Sequence, residues 1–432
     1  MELRKYSFWF PLLLCMGCAG TLRSQDTLRI TLPEAEQVFM RGNLELLAEA
    51  AQVSAVKARE IQARLYNNPT ITAEWNLRDP ENNKWLHVGR TGQQIFEIEQ
   101  LIILGGKRKA ELALAKANTQ VAALNLEVLL RNLLLQLRQH AANRYILELS
   151  LNRYAQQITQ FSDLVKQVEL QVEKKNMPAR DLLRLQSTLL QLLQERAAAE
   201  SALSETDAAV KLLLGTPQPV KLTLPPAAGT ASEPPVVDSL IALGLSNRPE
   251  IRLAKAGSNQ AAAALIHERK QVVPDLTAYA NYDRQSGAFR NEFNMGVGIP
   301  IPVFSRNQGN IRAAKFEQEA TQHKMTLEQQ RIAGEITRAW QQYMVRRKVW
   351  EESIRTTEST LSEVMSAALV NYRKGNISLI EFMDMYESGM EAMRSRIDMQ
   401  SALLDAAIQL DHSVAAEVLP LSAFLNHSNI KQ

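Results

Sequence analysis

After Cys18 the sequence contains no cysteine, so the body of the chain holds no disulfide and rests on packing and hydrogen bonding. Past the N-terminal segment there is also no run of 18 or more uninterrupted apolar residues. That excludes a membrane-spanning helix there, and a chain of this kind would cross a bilayer only as a barrel. Basic residues are not clustered: 49 Lys and Arg are interspersed with 46 Asp and Glu for a net charge of +3. Without a basic block to track phosphates, nucleic acid is not an expected partner. His87, His140, His267, His323, His412 and His427 are scattered, and none stands three or four residues from another His or a Cys, so no zinc site of the usual spacing is expected. Met383, Met385, Met390, Met393 and Met399 offer soft thioethers, but at helical spacing they read as packing. A nucleophile elbow, a glycine-rich phosphate loop and a metal-binding motif are all missing, and the expectation is a non-enzyme without cofactor.

What the chain does have is a duplication. Residues 31–214 and 238–417 carry the same succession of features about 200 positions apart, and a repeat on that scale outranks any single motif. In the first copy an amphipathic helical run ends at Leu65-Tyr66-Asn67-Asn68-Pro69; in the second it ends at Gln271-Val272-Val273-Pro274. Strand-like text follows each proline. Then comes a turn, Gly105-Gly106-Lys107-Arg108 or Ser305-Arg306-Asn307-Gln308-Gly309, and a very long helical stretch. Those stretches break at Lys174-Lys175-Asn176-Met177-Pro178 and Lys374-Gly375-Asn376-Ile377-Ser378. Gly and Asn favour helix C-caps, and Ser or Pro favours a new start, so both breaks read as sharp reversals.

Residues 1–24 read as a secretory signal: Arg4-Lys5, an apolar stretch from Tyr6, then small residues through Gly20. Two processing routes stay open. Cys18, after Gly17, could be the acylated first residue of a lipoprotein; Cys15 and Met16 depart from a lipobox, and ordinary cleavage near Gln25 is the other route.

Two strands are expected at 70–99 and two at 276–301. Ile71, Ala73, Trp75 and Leu77 alternate with Thr72, Glu74 and Asn76, and Phe289, Phe293, Met295, Val297 and Ile299 alternate with Arg290, Glu292, Asn294, Gly296 and Gly298, with Asn291 intruding on the apolar side. The second strand, expected at 85–99, places Leu86, Val88, Phe96 and Ile98 together with Arg90. Apolar residues toward lipid and polar ones toward a wet lumen make a transmembrane barrel pattern. Trp75, Trp85, Tyr279, Tyr282 and Phe289 are expected at the strand ends as an interfacial girdle. Four strands cannot close a barrel, so copies must assemble, and a trimer supplies twelve.

The proline-free stretch from Gly106 to Lys175 would span about 105 Å as one helix, with its counterpart from Gly309 to Lys374. Shorter helices at 43–67 and 178–214 are expected beside the first, on a coiled-coil-like seam through Leu112, Ala115, Thr119, Ala122 and Leu126. The proline-rich segment 215–237 and the tail 418–432 are expected as a belt around the helical body.

The duplicated order, the Gly105-Gly106-Lys107-Arg108 turn after Ile102-Ile103-Leu104, and the run Gly298-Ile299-Pro300-Ile301-Pro302-Val303-Phe304-Ser305-Arg306-Asn307-Gln308-Gly309-Asn310-Ile311 resemble the TolC-like outer membrane efflux family. Within it they are most similar to the CzcC-type members of heavy-metal efflux. The resemblance implies an α+β membrane protein in the outer membrane: a homotrimer with one twelve-stranded β-barrel in lipid and a long α-helical periplasmic barrel. It implies docking onto a periplasmic adaptor and, through it, an inner membrane RND pump. Helix-tip residues Lys175, Asn176, Met177 and Pro178 with Gly375, Asn376, Ile377 and Ser378 would contact the adaptor.

Glu381 and Asp384 share one helix face by their i, i+3 spacing. The resemblance implies that they line the lumen at its closed periplasmic end, as two rings of three carboxylates that concentrate cations; an ordinary solvated face is the plainer reading. Asp181 and Arg184 stand at the matching positions of the first copy. Tyr372 and Arg373 are candidate gate links, with Arg184 a counterion. The expected function is a passive exit duct for divalent heavy-metal cations. A duct for drugs or other small organics, or a soluble periplasmic coiled-coil adaptor or scaffold, are the alternatives.

Overall fold

The computed structural model describes residues 28–81, 83–88, 92–224, 235–285, 289–357 and 360–420. Cys18 and the signal segment, Arg90, and much of the proline-rich segment and tail lie outside them. The elements run β1 (Leu28–Thr31), α1 (Leu32–Gly42), α2 (Leu44–Gln62), β2 (Thr70–Trp75), β3 (Arg78–Asp79), β4 (Lys84–Trp85), β5 (Gln94–Ile102), α3 (Lys107–Glu173) and α4 (Ala179–Leu214). They continue β6 (Val220–Thr223), α5 (Val237–Asn247), α6 (Pro249–Lys270), β7 (Leu276–Gln285), β8 (Arg290–Gly298), α7 (Gln308–Thr357), α8 (Thr360–Arg373) and α9 (Leu379–Val414).

β2, β5, β7 and β8 form one antiparallel sheet in that order. Its register stacks Ile71, Ile98, Ala280 and Met295 in one row and Ala73, Phe96, Tyr282 and Phe293 in the next, all on one face because side chains alternate along a strand. Met295 is 88% exposed and Phe293 78%, a bare apolar surface rimmed by the edge-to-face pair Trp75–Phe96, 6.3 Å between centroids. The intruder Asn291 takes a left-handed φ of 57° and accepts a hydrogen bond from the Tyr282 hydroxyl at 2.8 Å, which satisfies its polar end locally.

Two strand expectations are corrected. The second strand is β5, starting at Gln94 and running to Ile102, not 85–99; the text before it makes the small β3–β4 hairpin, and Leu86 turns the chain with a φ of 49°. Alternation through Leu86 and Val88 had extended the pattern into a turn. Tyr279 is not a girdle residue: it sits within β7 on the polar face, paired with Gly296. Its hydroxyl occupies the space of the missing side chain, 2.4 Å from where a Cβ on Gly296 would lie.

The helices continue the strands in the same lateral order. Nearest the sheet, α2 packs on α3, α3 on α6 and α6 on α7; farther away α4 packs on α3, α3 on α9, and α9 on both α7 and α8. The 67-residue α3 reaches about 100 Å. It starts at Gly106 with a left-handed φ of 77°, and Asn307 before α7 takes the same conformation at 56°, which Gly adopts freely and Asn tolerates. The second long helix is described in two lengths, α7 and α8, on either side of residues 358–359.

Helices α1 and α5 were not expected. Thr31 and Glu34 form a capping box at the start of α1. Asn43 then ends α1 and caps α2 by accepting the Leu46 N–H at 2.9 Å, while its amide donates to the Leu213 carbonyl at 2.8 Å. Part of the proline-rich segment is the strand β6, parallel to β1, and its Val220 and Leu222 enter a core with Phe39 and Leu137. A second core joins α3, α5, α7 and α9 around Ile336, Tyr343 and Leu404, and a third lies near the reversals. Among the described residues no helix is long and apolar enough to cross a membrane.

Candidate functional site

The two reversals are copies of one backbone lock. In the first, the Lys175 N–H bonds the Val172 carbonyl and the Asn176 N–H the Gln171 carbonyl, at 2.9 and 2.8 Å; in the second, Gly375 bonds Tyr372 and Asn376 bonds Asn371, both at 2.9 Å. This paired 5→2 and 6→1 pattern closes the orphan carbonyls of a helix end. It requires a left-handed residue, Lys175 at φ 59° and Gly375 at φ 76°. Each Asn also hydrogen-bonds a side chain of its own helix end, Gln171 or Asn371.

Beyond the lock the two copies diverge. Pro178 opens α4 without a side-chain cap, whereas Ser378 and Glu381 make a capping box on α9. The Glu381 carboxylate accepts the Ser378 N–H at 2.7 Å, and the Ser378 hydroxyl accepts the Glu381 N–H at 3.2 Å. Those hydrogen bonds hold the Glu381 carboxyl below its usual range. The Ser-x-x-Glu spacing that signals this cap was present in the sequence. Asp384 is exposed one turn on, so it is the freer of the two expected acids.

The residues expected as gate links are not joined to one another within the chain. Arg184 and Arg373 are exposed and make no ion pair among the described residues. Asp181 pairs with the adjacent Arg180 at 3.7 Å. Tyr372 instead stacks on Phe382, 5.1 Å between centroids, and its buried hydroxyl has no hydrogen-bond partner among the described residues. Burial, with the Asp181 charge nearby, pushes its phenol up.

Sequence reasoning missed what binds the two hairpins together. Phe161 of α3 packs against Phe382 and Tyr386 of α9, at 6.1 and 4.3 Å between centroids, beside Leu185 of α4 and Ala368 of α8. Their spacing is an ordinary helical stripe; only the fold brings these helices' stripes to one point. The polar face of the sheet was also missed as a charged surface. Register places Thr72, Glu97, Asn281 and Asn294 in one row, Thr70 and Glu99 in the row to one side, and Glu74, Asp283 and Glu292 in the row to the other. Among the described residues no group of three His, Cys, Asp or Glu is placed to hold a metal ion.

Residues 240–416 match the family model described as outer membrane efflux protein. Over 390 residues the chain is 23% identical to the cobalt-zinc-cadmium resistance protein CzcC of Cupriavidus metallidurans, covering 88% of this chain and 89% of that protein. It is also 23% identical to the nickel-cobalt-cadmium resistance protein NccC of Alcaligenes xylosoxydans, over 72% of this chain and 70% of that one. In fold it is similar to the CmeC outer membrane channel of Campylobacter jejuni, with a TM-score of 0.73 at 13% identity, over 89% of this chain and 86% of that one. A bare apolar sheet face and a duplicated helical body stand beside these matches: residues 240–416 are similar to the outer membrane efflux protein family, and the fold of the chain is similar to that of a solved outer membrane channel.

Proposed function

We propose that three copies of this chain form the outer-membrane exit duct of a tripartite RND-type efflux system, carrying divalent heavy-metal cations from pump and adaptor to the exterior. One observation carries the assembly. The sheet ends in β2 on one side and β8 on the other, and the helices keep the same order. An open edge beside an apolar face calls for closure, and joining unlike edges head to tail makes a ring. Exposed apolar side chains stand on both flanks: Leu47 on α2 and Leu183 and Leu190 on α4 against Phe316 and Val345 on α7 and Val370 on α8. Three sheets give twelve strands, a barrel with its polar face inward. A soluble scaffold would leave the Phe293 and Met295 face in water, a cost this reading avoids.

The cation reading is supported by the metals in the relatives' names and by the inner-face carboxylates Glu74, Glu97, Glu99, Asp283 and Glu292, which threefold repetition multiplies into a cation-attracting wall. Asp384 of each copy adds a ring near the reversals, and the reversals themselves are the surface offered to the adaptor. The test is metal tolerance of a deletion strain across zinc, cobalt, cadmium, nickel, copper and silver, with organic toxicants alongside. Sensitivity confined to certain metals is expected; sensitivity to organics alone would overturn the metal assignment and leave the duct.

A further inference from the structure

Where α6 and α9 abut end to end, the chain gathers more positive charge than the junction needs. Arg131 donates to the carbonyl of His412, and Arg248 to that of Ser413 at 3.4 Å, which satisfies the C-terminal carbonyls of α9. Glu250, in the first turn of α6, accepts from Arg131 and from Arg248, the latter at 3.2 and 3.3 Å. Glu335 of α7 accepts from Arg248 at 2.7 Å and pairs with Arg331 at 3.3 Å, and Glu328 holds Arg331 from behind.

A cavity of about 460 Å³ opens among these groups, lined also by Arg338, Asn132 and Gln342. Four guanidiniums line it with two carboxylates, and counting Glu328 behind Arg331 still leaves one positive charge in surplus. His412, on the same wall, adds no charge: burial, reinforced by Arg131 and Arg248, pushes its imidazole down to about 4. One guanidinium is unspent: Arg338 is exposed and makes no ion pair among the described residues. Arg331, Glu335, Arg338 and Gln342 follow one stripe of α7 at three- and four-residue spacing, whereas Ile332, Ile336 and Tyr343 on another stripe enter the core shared with α5. The cavity thus opens away from α5.

We propose that this cavity binds a small oxyanion, a carboxylate or a phosphate, with Arg338 as the charged donor and Asn132 and Gln342 as neutral ones. Guanidinium forks fit oxyanions better than spherical halides. The site stands apart from the export reading, because it is tested on the purified full-length protein in detergent without transport. Calorimetric titration with inorganic phosphate and with acetate, ionic strength held constant with sodium chloride, should give saturable binding of at least one of them in the wild type. Arg346→Gln, an exposed change elsewhere on α7, should leave it intact, and Arg338→Gln should weaken it about tenfold. Phosphate alone or acetate alone names the source. Heats no larger than chloride dilution for both anions, or equal binding by an Arg338→Gln protein with an unchanged melting temperature, would overturn the proposal.

Discussion

Two carboxylates one helical turn apart have unequal freedom. Glu381 is spent on the start of α9, and Asp384 is not. Asp384→Lys should therefore lower cation preference, read as a shifted reversal potential in planar bilayers, while Glu381→Gln should act first on the helix end; an unmoved reversal potential in Asp384→Lys rejects the ring. Two neighbours farther along α9 make a pH argument. Burial pushes Asp411 up to about 7 against the Val418 and Leu419 N–H groups that favour its carboxylate, and pushes His412 down to about 4. For Asp411 the unfolded chain, titrating near 3.9, releases its proton first, so stability falls as pH rises from about 4 to about 7. For His412 the unfolded chain, titrating near 6.5, binds its proton first, so stability falls as pH drops from about 6.5 to about 4. The slopes oppose. Asp411→Asn should expose acid lability over that window and His412→Gln the reverse, in melting curves taken from pH 4 to 7; parallel curves for the two variants would refute the assignment.

Single elements read well from the sequence where one periodicity controls them. β8 was legible because Phe293, Met295 and Val297 alternate with nothing to interrupt them, and α3 because no proline breaks it. The start of β5 was not, since Leu86 and Val88 keep the alternation while a left-handed Leu86 breaks the strand. Helices α1 and α5 were lost inside their neighbours because the chain bends at one residue, Asn43 or Arg248, marked only by a single Gly42 or Pro249 beside it. Near the candidate site, both chain reversals were legible, while the Phe161–Phe382–Tyr386 contact and the Arg131–Glu250–Arg248 junction were not, because Phe161 and Arg131 each stand more than a hundred positions from their partners. The β8 alternation carries its own prediction. Met295→Arg, on the apolar face, should cost roughly 2–4 kcal/mol of barrel stability at mid-bilayer depth, read as loss of the protein from the outer-membrane fraction. Asn294→Arg, one residue away on the polar face, should insert and alter ion selectivity instead.

At the scale of the whole molecule, the duplication gives the chain two unlike flanks: β2, α2 and α4 on one, and β8, α7 and α8 on the other. A ring closed through such flanks uses every flank once, and no copy can be bypassed. Damage to one flank, for example Leu190→Glu on the exposed face of α4, therefore reaches beyond the copy that carries it. Where intact and altered chains are made in equal amounts and mix at random in a ring of three, about one ring in eight contains only intact chains. The altered allele should behave genetically as dominant, sensitising cells that still carry a good copy, and raising the dose of the intact gene should restore tolerance more steeply than in proportion.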